Sequence, residues 1–329
     1  GFIESAIDES LQAIDEAIGR EFDTGLRNVA FWGVGGVAFL NMPAARLLQT
    51  SSPFPTYVDM GAEAILTDNV NVGPGTLVVF TSVSGTTKEA ITALEYAKKK
   101  GARILTLVGT PGTPLAKLAD ISFYNRCADP TSSENFYLQT LFVALSILRR
   151  TTQFPQYQRV VAELKTLPRL LVGVKEQFEP RAAAFAAEIR DEQHHIITGS
   201  GNAWYEAWYY AMCILEEMQW IWTRPVHASD FFHGTLELLE ADTSIWILKG
   251  EDATLGLLSV NGDTNAALAW NDAANASRRA AGLDEARTAD QHQRFAQKVY
   301  GVEVKTRFTG GGDSIDSLQA LLGDLAGEN

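Results

Sequence analysis

Thr76-Leu77-Val78-Val79-Phe80-Thr81-Ser82-Val83-Ser84-Gly85-Thr86-Thr87-Lys88 is the stretch that decides the fold. Its first half is a continuous β-rich run, set off by the turn Gly73-Pro74-Gly75, and it predicts a buried strand. Its second half is a turn crowded with hydroxyls. Residues 88–100 then take a helical pattern, which Gly101 closes from the C′ position. A strand that passes through a short turn into a helix is half of a βαβ unit.

The same alternation continues on both sides. Residues 2–20 place Ile3, Ile7, Leu11, Ile14 and Ile18 at steps of three or four, the period of a helix. Asn28-Val29-Ala30-Phe31-Trp32 reads as a short buried strand running into Gly33-Val34-Gly35-Gly36, with a helix following through about Leu48. Residues 57–60, 103–108 and 122–124 read as further strands. Strands alternating with helices predict a parallel sheet covered on both faces. Residues 133–150 and 155–191 read as helical, the second stretch broken at Pro168 and Pro180. Then the pattern restarts: His195-Ile196-Ile197-Thr198 as strand, Gly199-Ser200-Gly201-Asn202 as turn, 203–222 as helix and 244–248 as a later strand. Strand, glycine turn and helix thus occur twice, which we read as a duplication. The expected architecture is α/β: two tandem doubly wound, flavodoxin-like parallel-sheet domains with helices on both faces, at 1–152 and 153–329. Beyond Gly250 the pattern weakens to a strand at 302–304, a turn at Gly310-Gly311-Gly312-Asp313 and a helix at 315–325.

Composition narrows the function. The 329 residues suit about two domains at roughly 150 residues each. With 46% hydrophobic and 20% charged residues the chain is not mainly disordered. Lys+Arg is 27 and Asp+Glu is 40, a net charge of −13, which argues against a nucleic-acid partner. A local anion site made of backbone N–H groups remains open, since it needs no basic side chain. Cys127 and Cys213 are too few for a disulfide framework or a zinc site, and read as buried thiols in a reducing, cytoplasmic setting. No apolar run approaches the roughly 18 residues of a membrane span, and the start Gly1-Phe2-Ile3-Glu4 has no basic signal-peptide region.

Three places carry chemistry. Ser82, Ser84, Thr86 and Thr87 surround Gly85 between a strand and a helix N-terminus, which suits a sugar phosphate. One hydroxyl there would be an ordinary N-cap; four in six residues exceed that need. The ending of a P-loop, Gly-Lys-Ser/Thr, is missing. Gly33-Val34-Gly35-Gly36-Val37-Ala38 fits a loose dinucleotide fingerprint, with Asp59 following 59 − 38 = 21 residues later. A turn that lets substrate approach Gly33, Gly35 and Gly36 is the better reading, and a turn that only packs helix on strand is about as good. Third, Glu216 and Glu217 end an aromatic-rich helix, and His233 lies in a turn before Gly234. A carboxylate in apolar surroundings can serve as a base, and histidine is its natural partner. The bland alternatives are a solvated helix face and a core histidine.

At these residues the chain resembles the sugar isomerase (SIS) family. Ser82-Val83-Ser84-Gly85-Thr86-Thr87 is similar to its S-x-S-G-x-T phosphate loop. Asp230-Phe231-Phe232-His233-Gly234-Thr235-Leu236-Glu237 is similar to the His-Gly motif of a second SIS domain, as in the isomerase half of glucosamine-6-phosphate synthase and in Amadori deglycases. Trp222-Thr223 also echoes a Trp-Thr that precedes the deglycase motif. The family's catalytic Glu stands sixteen residues before the His, and 233 − 16 = 217. The resemblance runs over roughly 28–250. Departures are Gly35 where relatives often carry Ser, Phe232 in place of a basic residue, and Thr235 in place of Pro. The family's C-terminal segment has no clear counterpart.

The resemblance implies tandem SIS domains and a metal-independent enzyme without cofactor. Its substrate would be a 6-phosphorylated Amadori compound, cleaved to glucose 6-phosphate and an amino acid. It gives Ser82, Ser84, Thr86 and Thr87 to the phosphate, Glu217 to proton abstraction and His233 to acid–base work. It also implies a homodimer, because the family's His often serves a neighbouring subunit's site. Another SIS isomerase or deaminase is the alternative, and a non-catalytic sugar-phosphate sensor a weaker one.

Overall fold

The computed structural model describes residues 2–125, 134–152, 154–238 and 243–248. The chain divides into two units, the first through Arg169 and the second from Leu170.

The first unit is built on five parallel strands: β1 (Asn28–Trp32), β2 (Thr56–Asp59), β3 (Thr76–Ser82), β4 (Arg103–Val108) and β5 (Ile121–Tyr124). Their order is β2-β1-β3-β4-β5, and every neighbouring pair is parallel. All seven residues of β3 are buried, as its unbroken apolar run foretold. Side chains alternate between faces. Ala30, Trp32, Val78, Phe80 and Ile104 form one core with helices α4 (Gly61–Leu66), α5 (Lys88–Lys99) and α6 (Pro114–Leu118). Val29, Phe31, Leu77, Val79 and Leu105 are equally buried and face the other way. The helices α1 (Phe2–Asp23), α3 (Met42–Ser51) and α7 (Glu134–Thr151) pack on one another there. The strand order reverses between β1 and β3, and in open α/β sheets ligands bind at the carboxyl ends of the strands at such a reversal.

Two local expectations are corrected. The helix expected through Leu48 is two helices, α2 (Gly36–Phe39) and α3, because Pro43 fits only the first turn of a helix and starts a new one. Asn41 fills the joint: its Nδ2 donates to the Trp32 carbonyl at 3.0 Å, and its Oδ1 accepts from Thr81 Oγ1 at 3.2 Å. Conversely, α8 (Tyr157–Ile189) continues through both Pro168 and Pro180 where breaks were expected. A proline deletes one hydrogen bond, and apolar anchors on either side, Leu164, Leu167, Val174 and Phe185, outweigh that loss.

The described part of the second unit holds β6 (His194–Gly199), β7 (Thr223–His227) and β8 (Thr243–Leu248), parallel and ordered β7-β6-β8. This repeats the order β2-β1-β3. The strand β7 was not expected, and its Pro225 is tolerated because β7 is an edge strand here. The helix expected at 203–222 begins as α9 (Gly201–Tyr209) and continues as a π-helix, Tyr210–Met218. Ile197 and Trp246 pack with Ala207, Ala211 and Leu215 on one face of this sheet; Ala228 and Ile247 pack on the other. Cys127 and the elements expected at 302–304, 310–313 and 315–325 lie outside the described residues. No helix among the described residues is long and apolar enough to cross a membrane.

Candidate functional site

The loop after β3 stands at the carboxyl edge of the first sheet, beside the reversal of strand order. Ser82 is buried, Ser84 and Thr86 are exposed and Thr87 is half-buried. The hydroxyls organise the loop as acceptors. Ser82 Oγ accepts the Gly85 N–H at 3.0 Å, and Ser84 Oγ accepts the Thr86 N–H at 3.3 Å and the Thr86 hydroxyl at 3.2 Å. A backbone N–H can only donate, so the protons of Ser82 and Ser84 stay available to an acceptor from outside. Thr87 occupies the N-cap of the twelve-residue α5 without a capping bond from its side chain, and the first N–H groups of that helix have no intrahelical partner. Gly85 has φ +65, and a Cβ added there would meet the side chain of Thr113, with Thr113 Cβ at 2.7 Å. Gly109 nests the next loop against Val83, and its N–H donates to the Ser82 carbonyl at 3.0 Å. The result is a rigid turn that presents O–H and N–H donors together, as an anion requires.

The glycine turn after β1 divides its work. A Cβ on Gly33 would stand 2.7 Å from Ala38 Cα, so this glycine serves the packing of helix on strand. Gly35 takes φ +64 with open space around it. The packing reading accounts for Gly33, and Gly35 and Gly36 are left as the substrate-facing candidates. Asp59 ends β2 in register with Trp32.

In the second unit Glu216 and Glu217 lie in the last turn of the π-helix. Nine residues of π winding are rare, and such segments are frequent at functional sites. The helix ends with bonds from Trp220 N to Glu216 O and from Ile221 N to Leu215 O, each spanning one residue more than the common C-terminal cap. Trp220 takes φ +57 there, where glycine is usual, and is 88% exposed; Trp222 is 80% exposed. Both carboxylates are exposed too, so the apolar surroundings expected for Glu217 are absent in the single chain: the neighbouring indoles face outward. Glu216 accepts from Thr223 Oγ1 at 2.5 Å. Burial, and then the charges of Glu217 and Glu216, push the Cys213 thiol up to about 11.

His233 ends the 3₁₀ turn Phe231–His233 and is exposed. A backbone ladder fixes it: Asp230 N donates to the His227 carbonyl, and His233 N to the Asp230 carbonyl. Beside it is a residue that sequence reasoning missed. His227 Nδ1 accepts the Ser229 N–H at 3.2 Å and lies 2.7 Å from Ser229 Oγ, so its ring proton belongs on Nε2.

Glu217 and His233 are not brought together. Thr223, at the start of β7, is level with the start of β6 and bonds Glu216; His227, at the end of β7, is level with Gly199 and begins the ladder to His233. The four residue steps between them span roughly 13 Å. The faces differ as well. The π-helix covers the Ile197 side, whereas the segment after His233 lies on the Ile196 side, where Arg224 Nε donates to the buried Thr235 Oγ1 at 3.1 Å.

Residues 26–149 match the SIS domain family. The match lies within the first unit. Across more of the chain, fructosamine deglycase FrlB of Bacillus subtilis (strain 168) is 28% identical over 232 residues, 69% of this chain and 70% of that protein. The glutamine–fructose-6-phosphate aminotransferase (isomerizing) of Xylella fastidiosa (strain 9a5c) is 25% identical over 248 residues. That match spans 72% of this chain and only 40% of the aminotransferase. Among solved structures, a Salmonella typhimurium LT2 protein described as a candidate phosphosugar isomerase superposes with a TM-score of 0.73 at 23% identity, over 96% of this chain and 89% of its own. The C-terminal domain of glucosamine-fructose-6-phosphate aminotransferase from Francisella tularensis gives 0.68 at 17% identity, over 99% and 94%. At such identities the structural likeness speaks for the fold. The match to the SIS domain family ends at residue 149, so it takes in the hydroxyl loop and neither Glu217 nor His233.

Proposed function

We propose that the protein is a phosphosugar enzyme of the SIS type, a deglycase that cleaves a 6-phosphorylated Amadori compound to glucose 6-phosphate and an amino acid. The observation that carries this is the loop of Ser82, Ser84 and Thr87 at the N-terminus of α5, in which Ser82 and Ser84 accept backbone N–H groups and Thr87 leaves the helix N-terminus without a side-chain cap. The likeness to FrlB, which extends past the SIS domain over 70% of that relative, favours deglycation over other chemistries of the family.

In this reading Ser82, Ser84, Thr86 and Thr87 bind the phosphate dianion, and positioning contributes several kcal/mol to the reaction. Glu217 removes a proton from C1, and the electrons move toward the C2 carbonyl to give an enaminol. His233 exchanges protons at the sugar oxygens and assists ring opening. Reprotonation at C2 leaves an imine at C1, and water hydrolyses it to the aldehyde of glucose 6-phosphate and the free amine. Every step is a proton transfer or a hydrolysis. Because the bonds around Glu217 and His233 tie them to opposite ends of β7, we take the functional unit to be a homodimer, in which the two residues acting on one substrate come from different chains.

The test is an end-point assay on 6-phosphorylated fructosyl amino acids, from fructose-lysine to fructose-asparagine, coupled to glucose-6-phosphate dehydrogenase. Glucose 6-phosphate released with one amine is the expected result. Silence across the panel, with conversion of fructose 6-phosphate or release of ammonia from glucosamine 6-phosphate, would replace the deglycase reading by an isomerase or a deaminase.

A further inference from the structure

Thr113 follows β4 and immediately precedes α6, outside the loop that the sequence singles out. It is 8% exposed, and its Oγ1 is enclosed without any hydrogen-bond partner in the protein. An orphaned hydroxyl in such a place needs an explanation. It gives α6 no side-chain cap, although it stands at the N-cap position. Its surroundings suggest the answer. Oγ1, Cβ and Cγ2 of Thr113 are the atoms nearest the missing side chain of Gly85, at the centre of the hydroxyl loop. The two loops are tied together as well: Leu115 N donates to the Gly85 carbonyl at 3.2 Å, and Gly109 N to the Ser82 carbonyl at 3.0 Å. The hydroxyl is therefore held against the turn that carries the other hydroxyls.

We propose that Thr113 is a further anion-binding residue of this site, its hydroxyl donating to the phosphate that the loop holds. The inference rests on the phosphate-loop reading and adds to it a residue 26 positions beyond Thr87 in sequence. An acceptor brought by the ligand resolves the orphan: the hydroxyl lacks a partner in the free protein and gains a charged one in the complex. A structural hydroxyl would behave in the opposite way, with its partner already present.

Thr113→Val keeps the shape and removes the hydroxyl; Thr113→Ser keeps the hydroxyl. Binding of inorganic phosphate and of fructose 6-phosphate to the full chain is measured by calorimetry, together with the melting temperature of the free protein. A hydrogen bond to a charged group predicts that Thr113→Val binds both anions about tenfold or more weakly. The melting temperature of that variant should be unchanged or raised, and Thr113→Ser should bind nearly as the parent does. A Thr113→Val protein that binds as the parent does, while Ser84→Ala is weakened, overturns the inference and leaves the loop reading standing. A melting temperature lowered by several degrees in Thr113→Val also overturns it, because the hydroxyl then serves the fold. If Ser84→Ala, Thr87→Ala and Thr113→Val all bind as the parent does, the loop reading falls and this inference with it.

Discussion

Two inactive variants, mixed, should recover part of the activity. Glu217→Gln removes the base and Glu217's chain keeps its His233; His233→Ala removes the acid–base group and keeps Glu217. Each pure variant is expected to lose at least about a thousandfold in turnover, more than the 10²–10⁴ of a single acid–base contribution at its lower end. Glu216, next to Glu217, is bonded to Thr223 at the start of β7, and His233 is tied through Asp230 to His227 at its end, four residue steps or roughly 13 Å apart. In the proposed homodimer a complete site takes one residue from each chain. After exchange of subunits, about half of the dimers are mixed, and each mixed dimer has one site with both residues mutated and one with both intact. The mixture should therefore regain about one quarter of the parental activity. The assay is the coupled release of glucose 6-phosphate after co-denaturation and refolding of the two variants in equal amounts, with each variant refolded alone as control. Activity no higher than the average of the two controls, in a preparation shown by native mass spectrometry to contain mixed dimers, would refute the shared site.

Other consequences concern the fold. Gly85→Ala must place a Cβ at φ +65 and 2.7 Å from Thr113 Cβ. A loss of about 2–4 kcal/mol in urea unfolding is expected from backbone strain and overpacking together, and a loss below about 1 kcal/mol would show that the loop yields. Trp220→Gly should raise stability by about 0.5–1 kcal/mol, because relief of φ +57 outweighs the added chain entropy and the indole is 88% exposed; a lowered urea midpoint would contradict this. At Asp15 burial acts to raise the carboxyl's pKa, but the hydrogen bond and charge of Arg150 and the charge of Arg149 prevail and hold it below the ordinary value. A lowered carboxyl contributes stability above its unfolded pKa and loses it as pH falls through the folded one, so Asp15→Asn should flatten the acid limb of the stability profile below about pH 4.

What the sequence disclosed depended on how local the cause was. The strand of 76–82, the hydroxyl turn and the helix at 88–99 are set by neighbours in the chain, and they read correctly to within a residue or two. The strand β7 was missed because Thr223-Arg224-Pro225-Val226-His227 has the proline and charge of an unlikely strand, and only an edge position makes it one. The π winding under Glu216 and Glu217 leaves no periodic mark distinct from that of an α-helix over nine residues. Thr113 drew no reading from the sequence, and nothing in its neighbours in sequence tells that Gly85 lies against it. The separation of Glu217 from His233 was equally hidden. It follows from which face each crossover takes, a property of strand order.

Strand order also explains how the two units share one plan and divide the chemistry. In each, a glycine at or just after the end of the first strand is covered closely by the following helix: a Cβ on Gly33 would reach Ala38 Cα at 2.7 Å, and one on Gly199 would reach the Ala203 carbonyl oxygen at the same distance. In each, the second strand lies to one side of the first and the third to the other. Successive right-handed crossovers must then fall on opposite faces. In the first unit that rule frees the carboxyl edge between β1 and β3, and the loop after β3 uses it for donors that suit an anion. In the second unit the same rule carries the chain after β6 down one face to Glu217 and the chain after β7 over the other to His233. Two copies of the chain would supply the pair without any change in topology, as the proposed homodimer requires.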